Sequence, residues 1–384
     1  MEIMDLRKLT AAEKKTVLSG CCGAPGDGLE KPPCCGPPAT AGGGKIDEKV
    51  PGFQEWLTTA AGPVPRVSSE LRLNDRLGAW KARWGIGRMS YIVPPGLYAL
   101  GHPTPDDPVL VTANYKMSFD IVRSTMAGRN AWLLVLETFG INVWCAAGKG
   151  TFGTEELVRR IGATGLAKVV NHRRLLLPIL GAPGVAAHEV ARRTGFAVSY
   201  ATIRAEDLPE FLEHGMVTTP IMRELTFTFQ ERLVLVPVEM VHALKSTAVI
   251  ALCLFVLGVV LGGSITGITA SIAYLGAVFT GIVLGPLLLP WLPGRSFSVK
   301  GAIAGLAWSA IWYGIAGGST WNIPTTIAAF LALPAVSAFY TLNFTGCTTY
   351  TSRSGVKKEM RIAIPAMGGA LVVSALLALA GRFL

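Results

Sequence analysis

Three stretches of this 384-residue chain, 246–294, 301–352 and 362–381, contain no Asp, Glu, Lys, Arg or His. Each reaches or exceeds the roughly 20 apolar residues that one helix needs to cross a bilayer, and a buried core helix would not run so long. Divided at their glycine- and proline-rich breaks, the runs predict five spans, at about 246–265, 269–290, 300–317, 322–343 and 362–382. The whole chain is 51% hydrophobic and 16% charged, which excludes a disordered protein and agrees with a membrane-embedded third.

The formal net charge of +10 would by itself raise nucleic acid as a partner. Its placement argues for no nucleic acid. After Lys245 stand seven basic residues (Arg295, Lys300, Arg353, Lys357, Lys358, Arg361, Arg382) and one acid, Glu359, so the spanning third carries +6 and the first 245 residues an unremarkable +4. Lys and Arg near span ends stay on the cytoplasmic side. The loops holding Arg295 and Lys300, and Arg353 to Arg361, are therefore expected inside with the N-terminal region, while the charge-free loops near Gly263 and Gly317 and the C-terminus lie outside. This describes a multi-pass protein of the inner, cytoplasmic membrane with its globular part in the cytoplasm. The predicted spans hold no ionisable residue of the kind that marks a transport path. They are rich in Gly and Ala for helix packing, and read as an anchor and docking platform.

The first ten residues carry Glu2, Asp5, Arg7 and Lys8 with no apolar stretch behind them, so no secretory signal is expected. Residues 19–44 are dominated by Gly, Pro, Ala and Cys and cannot bury enough apolar surface to fold alone; residues 1–50 read as a flexible extension. Cys21-Cys22 and Cys34-Cys35 form two vicinal pairs within it. In a reducing cytoplasm, accessible neighbouring thiols suggest capture of a soft ion such as Hg(II), against the plainer alternative of cysteines with no specific role.

Residues 51–241 alternate short apolar runs with amphipathic segments. Strands are predicted at Val109–Thr112, Trp132–Glu137, Leu175–Leu180, Phe196–Tyr200 and Leu233–Val238, and helices near Ser118–Ala127, Thr154–Ile161, Val185–Arg193 and Asp207–Glu213. The alternation argues for a Rossmann-like α/β domain with a mainly parallel sheet, followed by an all-α transmembrane domain of five helices over 242–384. Ligands of such sheets sit beyond the C-terminal strand ends. The loops there are unusual: one contains Asn114, another runs from Asn142 to Thr154, and a third is Gly181-Ala182-Pro183-Gly184, with small residues that let a large planar ligand approach the backbone. Gly148-Lys149-Gly150-Thr151 resembles a fragment of a phosphate loop, but Val143 and Gly150 break the spacing, which rules against nucleotide hydrolysis. Cys145 is the lone cysteine of this region, and its residue type leaves open a packing role or a reactive one. His172 and His188 have no partners at zinc spacing, so a cofactor whose metal needs one axial ligand fits better than a protein-only metal site.

The segment Asn142-Val143-Trp144-Cys145-Ala146-Ala147-Gly148-Lys149-Gly150 resembles the signature of the HgcA family, membrane-bound corrinoid proteins of microbial mercury methylation. The stretches TFGTEELVRRI, LLLPILGAPGVAAHEV and ERLVLVPVEM also resemble the corrinoid domain of the corrinoid iron–sulfur protein of the acetyl-CoA pathway. The resemblance covers about Pro51 to the end and leaves out the vicinal cysteines. It implies a corrinoid (cobalamin-type) cofactor, a cap helix over Asn142–Lys149, and a Cys145 thiolate on cobalt. It further implies that Trp144, Ala146, Ala147 and Gly148 shape the contact with the ring, that Lys149 neutralises nearby negative charge, and that the strand-end loops, with Asn114, Gly150, Thr151, Phe152 and Gly181 to Gly184, hold the nucleotide tail. The implied activity is a corrinoid-dependent methyltransferase that passes a methyl group to Hg(II). Its implied partners are a methyltetrahydrofolate-dependent donor system and a ferredoxin with [4Fe-4S] clusters of the HgcB type, since this chain has no cysteine set for its own cluster. Two alternatives stand beside it: a membrane-tethered methyl carrier of one-carbon metabolism, and a transporter with a regulatory α/β domain.

Overall fold

The computed structural model describes residues 50–347, 351 and 353–383. A seven-stranded sheet forms from β1 (Phe53–Thr59), β2 (Gly62–Val67), β3 (Gly96–Leu100), β4 (Val109–Ala113), β5 (Ala131–Leu136), β6 (Arg174–Leu177) and β7 (Ala197–Tyr200), in the order β1-β2-β3-β5-β4-β6-β7. β4 is parallel to β5 and to β6, and β6 to β7; β3 runs antiparallel to β5, and β1 and β2 form an antiparallel hairpin. Every residue of β4 and β5 is buried, as expected of central strands covered on both faces.

Helices supply both covers. On one face, Leu134 and Leu177 of the sheet meet α3 (Val143–Lys149), α4 (Thr154–Ala163) and α6 (Ala187–Thr194) through Ala146, Leu157 and Val190; α5 (Leu166–Val169) adds Leu166. On the other, Leu110 and Leu133 meet Phe119 of α2 (Lys116–Thr125) and Phe211 of α7 (Leu208–Glu213). The remaining helix of this part, α1 (Leu73–Arg83), is fixed by charge. Asp75 and Asp120 close a ring with Lys116 and Arg123: Lys116 Nζ lies 2.6 Å from Asp75 and 2.5 Å from Asp120, and Arg123 contacts the same two carboxylates at 2.9 and 2.7 Å.

The expected strand at Leu233–Val238 is instead part of α8 (Phe229–Gly262), a continuous helix of 34 residues. A short apolar run cannot by itself be told from a buried helix segment. Here Thr228 opens a capping box, its backbone N–H donating to Glu231 Oε2 at 2.6 Å while Glu231 N donates to its hydroxyl, and this starts the helix four residues before the run. The boundary expected at 241/242 thus falls inside a continuous helix. α9 (Ser264–Leu287), α10 (Phe297–Ile315), α11 (Ile323–Asn343) and α12 (Arg353–Ala380) follow. Among the described residues four helices, α8, α9, α11 and α12, are long and apolar enough to cross a membrane. α10 occupies the place of the expected third span but is only 19 residues long, with Lys300, Trp308, Trp312 and Tyr313 in it. Glu359 caps its start, accepting from Ser296 Oγ, Ser298 N and Ser298 Oγ at 2.6 to 2.8 Å.

Candidate functional site

From β4 the chain passes through α2 to β5 on one side; from β6 it passes through α6 to β7 on the other. The adjacent strands β4 and β6 therefore send their C-terminal connections in opposite directions, which opens a crevice between them. A cavity of about 300 Å³ lies there, lined by Thr112, Val122, Asn142, Trp144, Pro178 and Thr202 among others.

α3 stands at the edge of this crevice. Asn142 caps it, accepting from Cys145 N at 3.0 Å, and Gly150 ends it at φ +83°, a left-handed position that suits glycine. Ala146 and Ala147 turn into the core, while Cys145, Gly148 and Lys149 fall at i, i+3 and i+4 on the opposite face. Cys145 is half-buried, and Gly148 and Lys149 are exposed. A Cβ added at Gly148 would have no neighbour within 4 Å. Burial pushes the Cys145 thiol above its ordinary pKa, and the positive charges of Lys149 and Arg88 offset part of that rise.

Two supports fix the helix from behind. The 3₁₀ turn Ile179–Gly184 lies against it, and a Cβ on Gly184 would strike the Phe152 carbonyl and come within 3.0 Å of Ala147 Cα. One on Gly181 would lie 2.6 Å from the buried Phe152 ring. The second support is Asn114, 1% exposed at the end of β4. Its Oδ1 accepts from Thr138 N, Thr138 Oγ1 and Gly140 N at 2.8 to 3.1 Å, and its amide donates to Glu137 Oε1 at 2.6 Å. The loop leading into α3 is thereby tied to the strand. At its tip Phe139 has φ +56°, an uncommon left-handed conformation for a bulky residue, and stays 54% exposed.

The expected site residues thus divide by place. Asn142, Val143 and Trp144 line the cavity; Cys145, Gly148, Lys149 and Gly150 present the outer surface, with Thr151 half-buried beside them. Asn114, Ala146, Ala147, Phe152 and Gly181 are buried, so they support the cap instead of lining an open surface. Of the third loop, Ala182 and Gly184 are half-buried and Pro183 is exposed. Cys21, Cys22, Cys34 and Cys35 lie outside the described residues. Sequence reading missed Arg88, Glu137, Thr138 and Phe139. The Thr138-Phe139-Gly140 turn just before the Asn142 cap was the available signal. Among the described residues no group of three or more His, Cys, Asp and Glu could hold a metal ion.

Residues 87–211, which run from just after α1 through β3 to α7 and include α3, match the family model for CdhD, the CO dehydrogenase/acetyl-CoA synthase delta subunit. The acetyl-CoA decarbonylase/synthase complex subunit gamma of Methanopyrus kandleri is 36% identical over 123 residues, which are 32% of this chain and 26% of that protein. Its counterpart in Archaeoglobus fulgidus is 40% identical over 92 residues (23% and 20%), and that of Methanocaldococcus jannaschii 31% over 130 residues (33% and 26%). The chain spans about a quarter of the length of these curated relatives. The class so defined is an α/β domain similar to part of acetyl-CoA decarbonylase/synthase subunits, followed by a helical region with four apolar helices.

Proposed function

We propose that this chain is a membrane-tethered corrinoid protein that accepts a methyl group and hands it on, with Hg(II) as the acceptor. The observation that carries the reading is the place of Cys145: one soft donor on the outward face of a capped helix whose cap and first residues, Asn142 to Trp144, line a switch-point cavity. The residues fit a flat macrocycle that brings its own equatorial ligands. The outer face of α3 offers a thiol, a position without a side chain and open space above it, while no other described residues gather into a metal site. Bound there, a corrinoid supplies a cobalt centre able to take up and release a methyl group.

The chain's own residues do the rest. Cys145 would hold the metal through its sulfur as a thiolate, a form that the positive charges of Lys149 and Arg88 favour. Gly148 and Gly150 leave room for the ring beside it, and Trp144 with Asn142 and Val143 lines the cavity suited to the nucleotide tail. Asn114 and the Ile179–Gly184 turn keep the helix, and with it the sulfur, in one position. Similarity to acetyl-CoA decarbonylase/synthase subunits supports a corrinoid methyl carrier; the acceptor Hg(II) rests on the resemblance of Asn142–Gly150 to the HgcA signature. Within this reading the partners would be a [4Fe-4S] ferredoxin, as electron source, and a methyltetrahydrofolate-dependent system, as methyl source. The pairs Cys21-Cys22 and Cys34-Cys35 capture Hg(II), α10 completes five spans, and the α/β domain faces the cytoplasm.

The test is the ultraviolet–visible spectrum of anaerobically purified full-length protein with cobalamin, compared with Cys145→Ala, together with methylmercury formation in cells that also express the ferredoxin. The substitution should remove the thiolate signature and abolish methylmercury. An unchanged spectrum and undiminished activity would refute the ligand assignment. Methyl exchange with an acetyl-CoA synthase but not with Hg(II) would move the acceptor to one-carbon metabolism.

A further inference from the structure

α1 has two faces of opposite character. Asp75, Gly78 and Ala82 turn inward: Asp75 joins the ring of charges, a Cβ on Gly78 would lie 2.7 Å from the Tyr91 hydroxyl, and Ala82 has no exposed surface. Leu73, Leu77 and Trp80 recur at i, i+4 and i+7 on the other side and are 77%, 55% and 60% exposed. Trp84, the C-cap, continues the stripe with its ring centroid 6.0 Å from that of Trp80. By the 100° step of a helix, Arg76 and Arg83 flank the stripe on one side and Lys81 on the other, with Arg72 at the N-cap. The single acid of the helix, Asp75, is turned away. An exposed apolar stripe between basic borders is the pattern of a helix that lies in a membrane interface.

The position of α1 agrees. Gly85, two residues past its end, sits against α8, where a Cβ would be 3.4 Å from Val241 Cγ1. Val241 precedes the charge-free run by five residues, about 7 Å along the helix axis, and the headgroup layer on each side of a bilayer's hydrocarbon is of similar thickness. The end of α1 is therefore at headgroup depth if α8 crosses the membrane.

We infer that α1 is an interfacial helix: it lays Leu73, Leu77 and Trp80 into the bilayer that α8 enters, and sets the exposed Arg72, Arg76 and Lys81 against anionic phospholipid headgroups. The inference rests on the membrane-spanning reading of the apolar helices and is independent of the cofactor. A photo-crosslinking benzoylphenylalanine placed at Leu77 of the full-length protein, in vesicles of phosphatidylcholine and phosphatidylglycerol, tests it. The same probe at Leu252, 62% exposed within α8, reports membrane insertion, and at Ile221, 78% exposed and before α8, reports background. Phospholipid adducts at Leu77 should exceed those at Ile221 about tenfold and fall in phosphatidylcholine alone. Arg76→Glu with Lys81→Glu should lower them too, since each basic residue at an anionic surface is worth about fivefold in occupancy. Lipid adducts at Leu252 but not at Leu77, or a protein adduct at Leu77 from a second copy or a partner, would overturn the inference. Absence of adducts at both positions would overturn the membrane reading and the inference with it.

Discussion

Gly148→Ala separates folding from cofactor binding because the two should move in opposite directions. In the protein alone, a glycine inside a helix costs roughly 0.5–1 kcal/mol relative to alanine. Position 148 is one residue from the end of α3, so the lower figure applies. A Cβ there meets nothing within 4 Å, so no clash offsets the gain. The cofactor-free variant should melt about 1–2 °C higher than the parent, following the size scaling of thermal shifts. With a ring lying on the Cys145 face, the same methyl group intrudes three residues from the ligand. Overpacking of this kind costs about 2 kcal/mol, which is roughly thirtyfold in Kd. Thermal unfolding of cofactor-free protein and a cobalamin titration followed by visible absorbance measure the two quantities. Unchanged affinity and an unchanged thiolate spectrum in the alanine variant would refute the placement of the ring on this face of α3.

Two further perturbations test the surroundings. Asp75→Asn removes one carboxylate from the ring of Asp75, Lys116, Asp120 and Arg123 and leaves the 0%-exposed Arg123 side chain short of a partner, so it should cost about 3 kcal/mol in a denaturation experiment. Burial raises the Asp75 pKa but is outweighed by the Lys116 hydrogen bond, the Arg72 N–H and the charges of Lys116 and Arg123, leaving it below 3.8. Its contribution is therefore present above that value and fades as pH falls through the depressed pKa, and the gap between parent and variant should close in acid. For Cys145 the shift is upward, so its alkylation by iodoacetamide, followed on the isolated peptide by mass spectrometry, should reach half-maximal rate above the ordinary thiol value of 9.0. Lys149→Glu should move that midpoint higher still, and a midpoint below 9.0 would contradict the assigned burial.

The strands β4 to β7 were legible because each is a compact apolar run between Gly-, Pro- or Asn-containing loops, and the apolar helices because lipid tolerates few charges. The first three strands were not. Pro63 and Pro65 sit in β2, where they can donate no ladder hydrogen bond, and they mask the strand pattern of the β1–β2 hairpin. The run Leu233–Val238 carries the β-branched composition of a strand, and only the cap at Thr228 and the junction with the apolar run beyond Lys245 make it helical. At the candidate site, the short helix expected over Asn142–Lys149 is present as α3, Val143–Lys149. The small residues around it are ambiguous for a physical reason: a glycine or alanine signals close approach without saying what approaches. At Ala146, Ala147, Gly181 and Gly184 it is the protein itself, through Phe152 and the packing of the turn on the helix.

α1 and α3 are joined by a short path of ordinary bonds. Tyr91, in the segment after α1, donates its hydroxyl to Asp75 O at 3.0 Å, and its own carbonyl accepts from Lys116 N at 3.0 Å. Two residues on, Val93 N donates to Asn114 O at 2.9 Å, and the Asn114 side chain holds the loop that enters the cap. Coupling of two sites requires an element with two arrangements, whereas the links here are part-buried or buried hydrogen bonds with both partners satisfied. The path therefore argues for positioning. An interfacial α1 would fix the height of the α/β domain above the bilayer, and the same bonds would carry that fixed position to Cys145, where the proposed metal ligand gains from a sulfur held still.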